Sequence, residues 1–466
     1  DAMAEFVECE RDVAECSARF SSSQAEELRE VSRVLFHSVF KLVDWKIYDL
    51  DLCGKHGPGA TADKLAGNDK FSLSTWTRRL EAILPFGDML LVNRSFLQEG
   101  DRIHIVEPGS EVPVKVTPVP KTQKTPRIIA IEPTCMQFAQ QAVSRALTRA
   151  LEGEYPLSQI IGFSDQLPNQ EMAKEGSLTG HLATLDLSEA SDRVSLKVVS
   201  ELTFEYPALH RAVLACRSLT ADVPGHGNIP LSKYASMGSA LTFPIEAMVF
   251  CTIVFIGIQR ELGRPLTRKD ICSFSRSVRI YGDDIIVPVE YVPAVIRALS
   301  DFGQKVNVHK SFYTGRFRES CGKEYYAGDD VSVVKLRRLL PSSRQHATET
   351  IGLVSFRNLL YQKGLWNTCR WLDERIRVLL PHYPVVLETS PVLGRFSYLG
   401  YETQRSCPNL HRPLVKGFVV EAVSPVSEID DHAALMKCLI TGFNPDSKHL
   451  KRAGRPRSVN IRPRWA

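Results

Sequence analysis

No C-x-x-C pair occurs among the eleven cysteines of this 466-residue chain, so neither a zinc ribbon nor a disulfide framework is written into it. Scattered cysteines are expected to be reduced, mostly buried thiols of a protein in a reducing compartment. Long apolar stretches are also missing. The longest, residues 247–258, is twelve residues, short of the ~20 needed to span a bilayer and suited to a buried helix. No signal peptide opens the chain, and there is no internal repeat. The sequence starts at Asp1 without an initiator methionine and is expected to be a fragment. Nor is there much excess of charge. A net +5 does not by itself announce a nucleic-acid binder, so the distribution of charge has to be read instead.

That distribution is uneven. Residues 448–466 carry Lys448, Lys451, Arg452, Arg455, Arg457, Arg462 and Arg464 and no acidic residue. Such a run reads either as a phosphate-contacting tail or as a solvated terminus. The hydrophobic share, 44%, is that of a globular protein, and the length allows two or three subdomains. Residues 1–50 have helical spacing at Val31, Leu35, Val39 and Leu42, and 54–67 form a Gly/Ala-rich loop. Residues 101–133 alternate as strands punctuated by proline. Helices are expected over 136–151, 353–360 and 366–380.

The chemistry concentrates in residues 181–334. Two β-prone runs, 278–281 and 285–289, flank Gly282-Asp283-Asp284, a hairpin signal in which glycine supplies a backbone angle other residues resist. Carboxylates ~4 Å apart repel by about 4 kcal/mol at an effective dielectric of ~20, and a divalent cation with hard oxygen ligands would relieve this. Alone, the triplet is more often a solvated turn. A second carboxylate changes that weighting. Ala183, Leu185 and Leu187 alternate as in a strand ending near Asp186, and Asp192 stands near the start of a helix. Two such elements side by side could hold two metal ions ~3.5–4 Å apart, the arrangement for in-line phosphoryl transfer. Asp192 also reads as a helix N-terminal charge. Between the two elements, Ser236, Gly238, Ser239 and Ala240 form a small-residue loop that would let a nucleotide or template come close to the main chain. The apolar helix after it is expected to be buried.

In chain order these are a D-x-x-x-x-x-D strand end, an S-x-G-x-x-x-T loop and a Y-G-D-D hairpin, a pattern that resembles the palm of viral RNA-dependent RNA polymerases. VPKTQKTPRIIAIEP (119–133), LATLDLSEASD (182–192), SMGSALTFPIE (236–246), YGDDIIVP (281–288) and FRESCGKEYYAGDDV (317–331) are similar to the replicases of single-stranded RNA bacteriophages, the leviviruses. The likeness is strong over about 115–340.

The resemblance implies an α+β right-hand polymerase. Its N-terminal helical region and fingers would occupy 1–180. The antiparallel-sheet palm would occupy 181–340, with a candidate fingers insertion around 205–235. A helical thumb and the basic tail would occupy 341–466. It implies RNA-templated RNA synthesis with Asp186 and Asp283 as principal ligands of two Mg²⁺ ions, for which Mn²⁺ can substitute, and Asp284 in support. Lys121, Lys124 and Arg127 would meet the incoming triphosphate, Asp192, Ser236 and Gly238 the ribose and template, and Lys310 is a candidate general acid. Implied partners are template and product RNA, ribonucleoside triphosphates, host elongation factors Tu and Ts and a small-subunit ribosomal protein. The site of action would be the cytoplasm of an infected bacterium, with no membrane. Glu246 departs from the wider polymerase pattern, which has Asn there; an ionised carboxylate accepts but cannot donate to a ribose hydroxyl. A reverse-transcriptase-like enzyme and a non-catalytic RNA-binding palm are the alternatives.

Overall fold

A computed structural model describes residues 2–120, 126–423, 428–442 and 458–466. It separates into two compact units, one of residues 1–119, 127–332 and 428–446 and one of 120–126, 333–427 and 447–466.

The first unit opens with α1 (Ala2–Arg19) and α2 (Ser22–Tyr48). The second of these begins at a capping box in which Ser21 and Gln24 satisfy each other's backbone N–H. Strands β1 (Val114–Val119) and β2 (Arg127–Ile131) precede α3 (Thr134–Glu152) and α4 (Leu167–Thr179). Next come β3 (Leu182–Leu185), β4 (Thr220–Val223), β5 (Gly227–Pro230) and α5 (Thr242–Leu262). The hairpin strands β6 (Arg279–Tyr281) and β7 (Asp284–Pro288), helix α6 (Val292–Asp301) and the pair β8 (Phe317–Ser320) and β9 (Lys323–Tyr326) follow.

Two sheets matter for the site. One is antiparallel, in the order β3-β7-β6, with Ile285 opposite Leu185 and Asp284 opposite Tyr281. The other runs β2-β1-β4-β5, with β1 and β4 parallel at Val114 and Ala221. Phe6 of α1 packs on this second sheet with Val116, Ala130 and Val223. The segment considered as a fingers insertion, 205–235, thus supplies two of the four strands that carry the basic 127–131 strand.

Helix α5 is the axis of the core. Every residue from Ile245 to Ile258 is buried, as its all-round apolar sequence requires. By length and composition it could cross a membrane, but 83% of its apolar window is buried inside the protein. Gly257 lets α6 come close, because a Cβ there would stand 2.7 Å from Val295 Cα. Residues of α2, α3, β3, α5, β7 and α6 share one cluster. The boundary expected at 180/181 therefore does not coincide with a break in packing.

Among its described residues, the second unit is helical in α7 (Ala347–Gln362) and α8 (Trp366–Leu379), where helices were expected. Strands β10 (Val392–Leu393), β11 (Lys416–Val423) and β12 (Ser458–Trp465) add an antiparallel sheet to those helices. Its core joins Leu353, Leu360, Leu372, Ile376 and Phe418. Two further expectations change. The helix Asp431–Thr441 belongs to the first unit, where Met436 is buried and Lys437 Nζ donates to Asn68 at 2.7 Å. In the basic tail, Arg462 and Arg464 lie on β12 and pair with Glu421 of β11. Strand register, not solvent, fixes these two; Lys448, Lys451, Arg452, Arg455 and Arg457 lie outside the described residues.

Candidate active site

Strand β3 is buried at all four positions, and the chain leaves the sheet directly after it. Residues 187–188 pair instead with 305–306, which places Asp186 at the corner between two sheets. Asp186 is held from three directions. Its N–H donates to Ser311 Oγ (3.1 Å), its carbonyl accepts from Asn307 N–H (2.8 Å), and its Oδ2 accepts from Asn307 Nδ2 (3.1 Å). Continuing the β3–β7 register by one residue sets Asp186 opposite Asp284.

The β6–β7 turn has Gly282 and Asp283 as its two central residues. Gly282 has φ +60°, the sign demanded at the first position of a two-residue hairpin turn. A Cβ there would also fall 2.6 Å from the Phe243 ring and 3.3 Å from Glu246 Oε1. Asp283 is exposed. Asp284 is turned inward, and its Oδ1 accepts from Ser320 Oγ (3.2 Å) and Cys321 N–H (3.0 Å).

The electrostatics show that these carboxylates sense one another. Burial pushes Asp284 up to about 6, and the charges of Asp283 and Asp186 add to the rise against the Cys321 and Ser320 hydrogen bonds. Burial also raises Asp186, and Asp283 adds to that rise while Lys310 opposes it. Glu246, in the second turn of α5, is raised well above the ordinary carboxyl value by burial first, then by Asp283 and Asp192. A rise of this kind favours the protonated carboxyl, the form that can donate a hydrogen bond. Among the described residues, no three His, Cys, Asp or Glu side chains stand together as a finished metal site. The donor set is nevertheless hard oxygen with negative charge in excess, which suits a divalent ion.

The structure treats the remaining expected residues differently. Ser236 is buried, and its Oγ has no partner among the described residues. Gly238 (φ +134°) is a close-approach residue, but what approaches is the protein itself, since a Cβ would lie 2.0 Å from the Ala130 carbonyl oxygen of β2. Ala130 N–H also donates to Met237 O (2.8 Å). The small-residue loop is thus seated on β2, whose exposed start is Arg127. Lys121 and Lys124 lie outside the described residues. Asp192 is engaged within the protein. Its Oδ1 pairs at 2.8 Å with Lys233, a fully buried cation that also binds Glu10 (3.0 Å) and sits 3.5 Å above the Phe6 ring. Lys310 is exposed, precedes Ser311 in the chain, and its charge opposes the rise at Asp186.

Several residues had no role readable from the sequence. Asn307, Ser311 and Ser320 are ordinary polar positions until the sheets bring them to the aspartates. Gln140 of α3 is fully buried; its Oε1 accepts the Ala240 N–H of the loop (3.2 Å) and its Nε2 donates to Cys216 O (2.9 Å). Beside it, buried Glu132 accepts from Ser218 Oγ at 2.6 Å.

Comparison with known proteins settles the family. The model of the RNA replicase beta-chain family matches residues 102–346, more than half the chain and a span that includes Asp186, the small-residue loop and the Gly282-Asp283-Asp284 hairpin. This chain belongs to the RNA replicase beta-chain family. Among its relatives, the RNA-directed RNA polymerase subunit beta of Escherichia virus Qbeta is 36% identical over 261 residues, covering 54% of this chain and 40% of that protein. The beta chain of Escherichia phage MS2 is 37% identical over 220 residues, 47% and 37% of the two chains. That of Enterobacteria phage fr is 32% identical over 301 residues, 64% and 49%. The matches span about half the length of these relatives or less. Among solved structures, the RNA-dependent RNA polymerase of a human picorbirnavirus aligns at a TM-score of 0.39 and 12% identity, covering 53% of this chain and 52% of that one. The BmCPV polymerase in its quiescent state aligns at 0.44 and 10%, covering 72% and 30%.

Proposed function

We propose that this family member is an RNA-directed RNA polymerase that adds ribonucleoside monophosphates to an RNA 3′ end and releases pyrophosphate, with RNA template and ribonucleoside triphosphates as substrates. The observation that carries the reading is the placement of Asp186 across from the Gly282-Asp283-Asp284 hairpin, with mutual electrostatic influence among the three carboxylates. In right-hand terms the β3-β7-β6 sheet is the palm, the β2-β1-β4-β5 sheet belongs to the fingers, and the second unit is the thumb.

Asp186 and Asp283 would hold the metal ions. Asp284, with Oδ1 already engaged, would support them by anchoring the hairpin to β8. Bound Mg²⁺ would supply activation of the attacking hydroxyl and neutralisation of the leaving phosphates. Asn307 and Ser311 fix the Asp186 backbone and carboxylate, so little reorganisation is needed when charge develops. Lys310 would supply a proton or positive charge near the departing pyrophosphate. Arg127 would grip phosphate through its planar fork, and Lys121 and Lys124 would join it. Ser236, Gly238 and Asp192 would border the ribose and template, with the hydrogen-bond donor coming from Glu246. The same reading places the protein in the cytoplasm of an infected bacterium, in association with host elongation factors Tu and Ts and a small-subunit ribosomal protein.

Primer extension tests the reading. Asp186→Asn and Asp283→Asn should each retain the wild-type melting temperature within a few degrees. Each should lower ribonucleotide incorporation beyond the ~10²–10³ typical of losing one electrostatic stabiliser. Near-wild-type extension by folded Asp283→Asn would refute the assignment. Preference for deoxyribonucleotides would point to a reverse transcriptase instead.

A further inference from the structure

The described residues of the second unit carry a large excess of positive over negative charge. Residues 333–423 and 458–466 hold fifteen Lys and Arg against six Asp and Glu, a net +9, whereas the whole chain nets +5. The rest of the chain is therefore net negative. A second feature of the same unit is unusual for a solvated surface. Trp366 is 60% exposed, Tyr398 66% and Leu399 95%.

These aromatics are organised and rigidly backed. Tyr361, near the end of α7, is the hub, with ring centroids 6.5 Å from Trp366, 5.6 Å from Tyr398 and 6.0 Å from Phe396. Buried Arg357 lies 4.9 Å from the Tyr361 ring centroid. It binds Asp373 through two hydrogen bonds (2.8 and 3.0 Å) and donates to the Phe396 carbonyl (2.9 Å). Asn358 clamps the same loop, donating to Gly394 O (3.0 Å) and accepting from Phe396 N–H (2.9 Å). A loop held this way presents Tyr398 at little further entropic cost on binding. Cations accompany the rings. On α8, Arg370 follows Trp366 by four residues and so shares its helix face. Arg375 stacks 4.0 Å from the Trp371 ring centroid, and Glu374 is the one exposed acid on that helix.

Exposed, pre-set rings beside arginines, in segments of net +9, match the chemistry of unpaired nucleobases on a phosphate backbone. We propose that Trp366, Tyr361 and Tyr398 form a stacking platform for single-stranded RNA, with Arg370 and the Trp371–Arg375 pair contacting its phosphates. The proposal takes its ligand from the RNA-polymerase reading. It assigns a binding surface built without Asp186, Asp283 or Asp284. Buried Leu360 and Leu380 are core and take no part.

The test uses the full chain and a fluorescein-labelled single-stranded oligouridine of twelve nucleotides, without nucleotides or Mg²⁺, so that binding is read apart from synthesis. The Trp366→Ala/Tyr398→Ala pair should weaken binding about 5- to 150-fold, the range for losing one stacked base, without changing the dependence of log Kd on log salt. The Trp366→Phe/Tyr398→Phe pair should restore binding. Arg370→Gln should flatten the salt slope by about 0.7. Photocrosslinking with 5-iodouridine RNA should label the peptide that contains Trp366, which keeps the test informative should the alanine pair unfold. Binding within twofold of wild type by a folded alanine pair would overturn the proposal. So would crosslinks confined to other peptides, or loss of a co-purifying protein with RNA affinity intact, the mark of a protein-docking face. Binding is read without nucleotides or Mg²⁺ and synthesis by primer extension, so failure of the catalytic reading and failure of the platform are separate results.

Discussion

Glu132 shows how a single side chain can be costly and still be placed with care. It follows β2, is buried, and is pushed up to about 7 by that burial, against the opposing hydrogen bonds of Ser218 and Gln140 and the charges of Arg217 and Arg79. A folded-state value above the unfolded one means that the native protein binds the proton more tightly. The stabilising contribution is thus fully present below the ordinary carboxylate value. It is lost as pH rises toward 7 and absent above it. Glu132→Gln cannot ionise and escapes that loss. The stability of Glu132→Gln relative to wild type should therefore increase between about pH 4.5 and pH 7 and level off by pH 8, by on the order of 3 kcal/mol for a shift of this size. Urea unfolding of both proteins across that range measures it. A difference that does not vary with pH would mean that Glu132 remains ionised in the folded protein.

At the scale of elements, the site depends on two glycines whose surroundings the sequence could not display. Gly238 is fixed by the β2 backbone and Gly282 by the Phe243 ring, both at positive φ. A left-handed backbone costs a residue with a Cβ about 1–2 kcal/mol, and at Gly282 a clash with an aromatic ring adds to that. Gly282→Ala is expected to lower the melting temperature and to cut nucleotide incorporation at least tenfold, because the turn that presents Asp283 must shift. Adding Phe243→Leu should recover part of the stability by removing the obstructing ring. No recovery in the double variant would show that backbone conformation, not the ring, is the whole reason for glycine. The hairpin itself was legible in the sequence, since alternation, Gly-Asp and flanking β-branched residues are local signals. That its second aspartate would be tied to Ser320 and Cys321 was not, because those residues lie 36 and 37 positions away.

For the molecule as a whole, the basic C-terminus changes meaning once the chain is folded. Along the sequence its seven cations have no acid among them. In the fold, Glu421 takes two of them, and β12 pairs with β11 from Ser458 to Trp465. Deleting residues 458–466 should expose the edge of β11 and loosen the cluster that includes Phe418. Hydrogen exchange should then rise across 333–423 while residues 134–301 keep their protection, since the core of the first unit contains no part of β12. Equal loss in both regions would mean that the two units unfold as one. Any electrostatic effect of the tail on RNA affinity should be smaller than seven free cations would give.

The sequence by itself determined the chemistry of this protein. Asp186, Asp283 and Asp284 stand in short motifs whose order is specific, and strand alternation and an all-apolar helix are periodicities read within about ten residues. Tertiary structure alone decided which polar groups meet. Asp192 is held by Lys233, 41 residues on, and Gln140 by Ala240, 100 residues on. The 428–442 segment returns to the first unit although it follows the second. The reason is physical: hydrogen bonds and ion pairs between distant residues depend on backbone positions set by packing, and no local pattern records them. Exposure belongs to the same class. Trp366 and Leu360 look equally apolar in the sequence, and only the fold buries one and leaves the other to solvent.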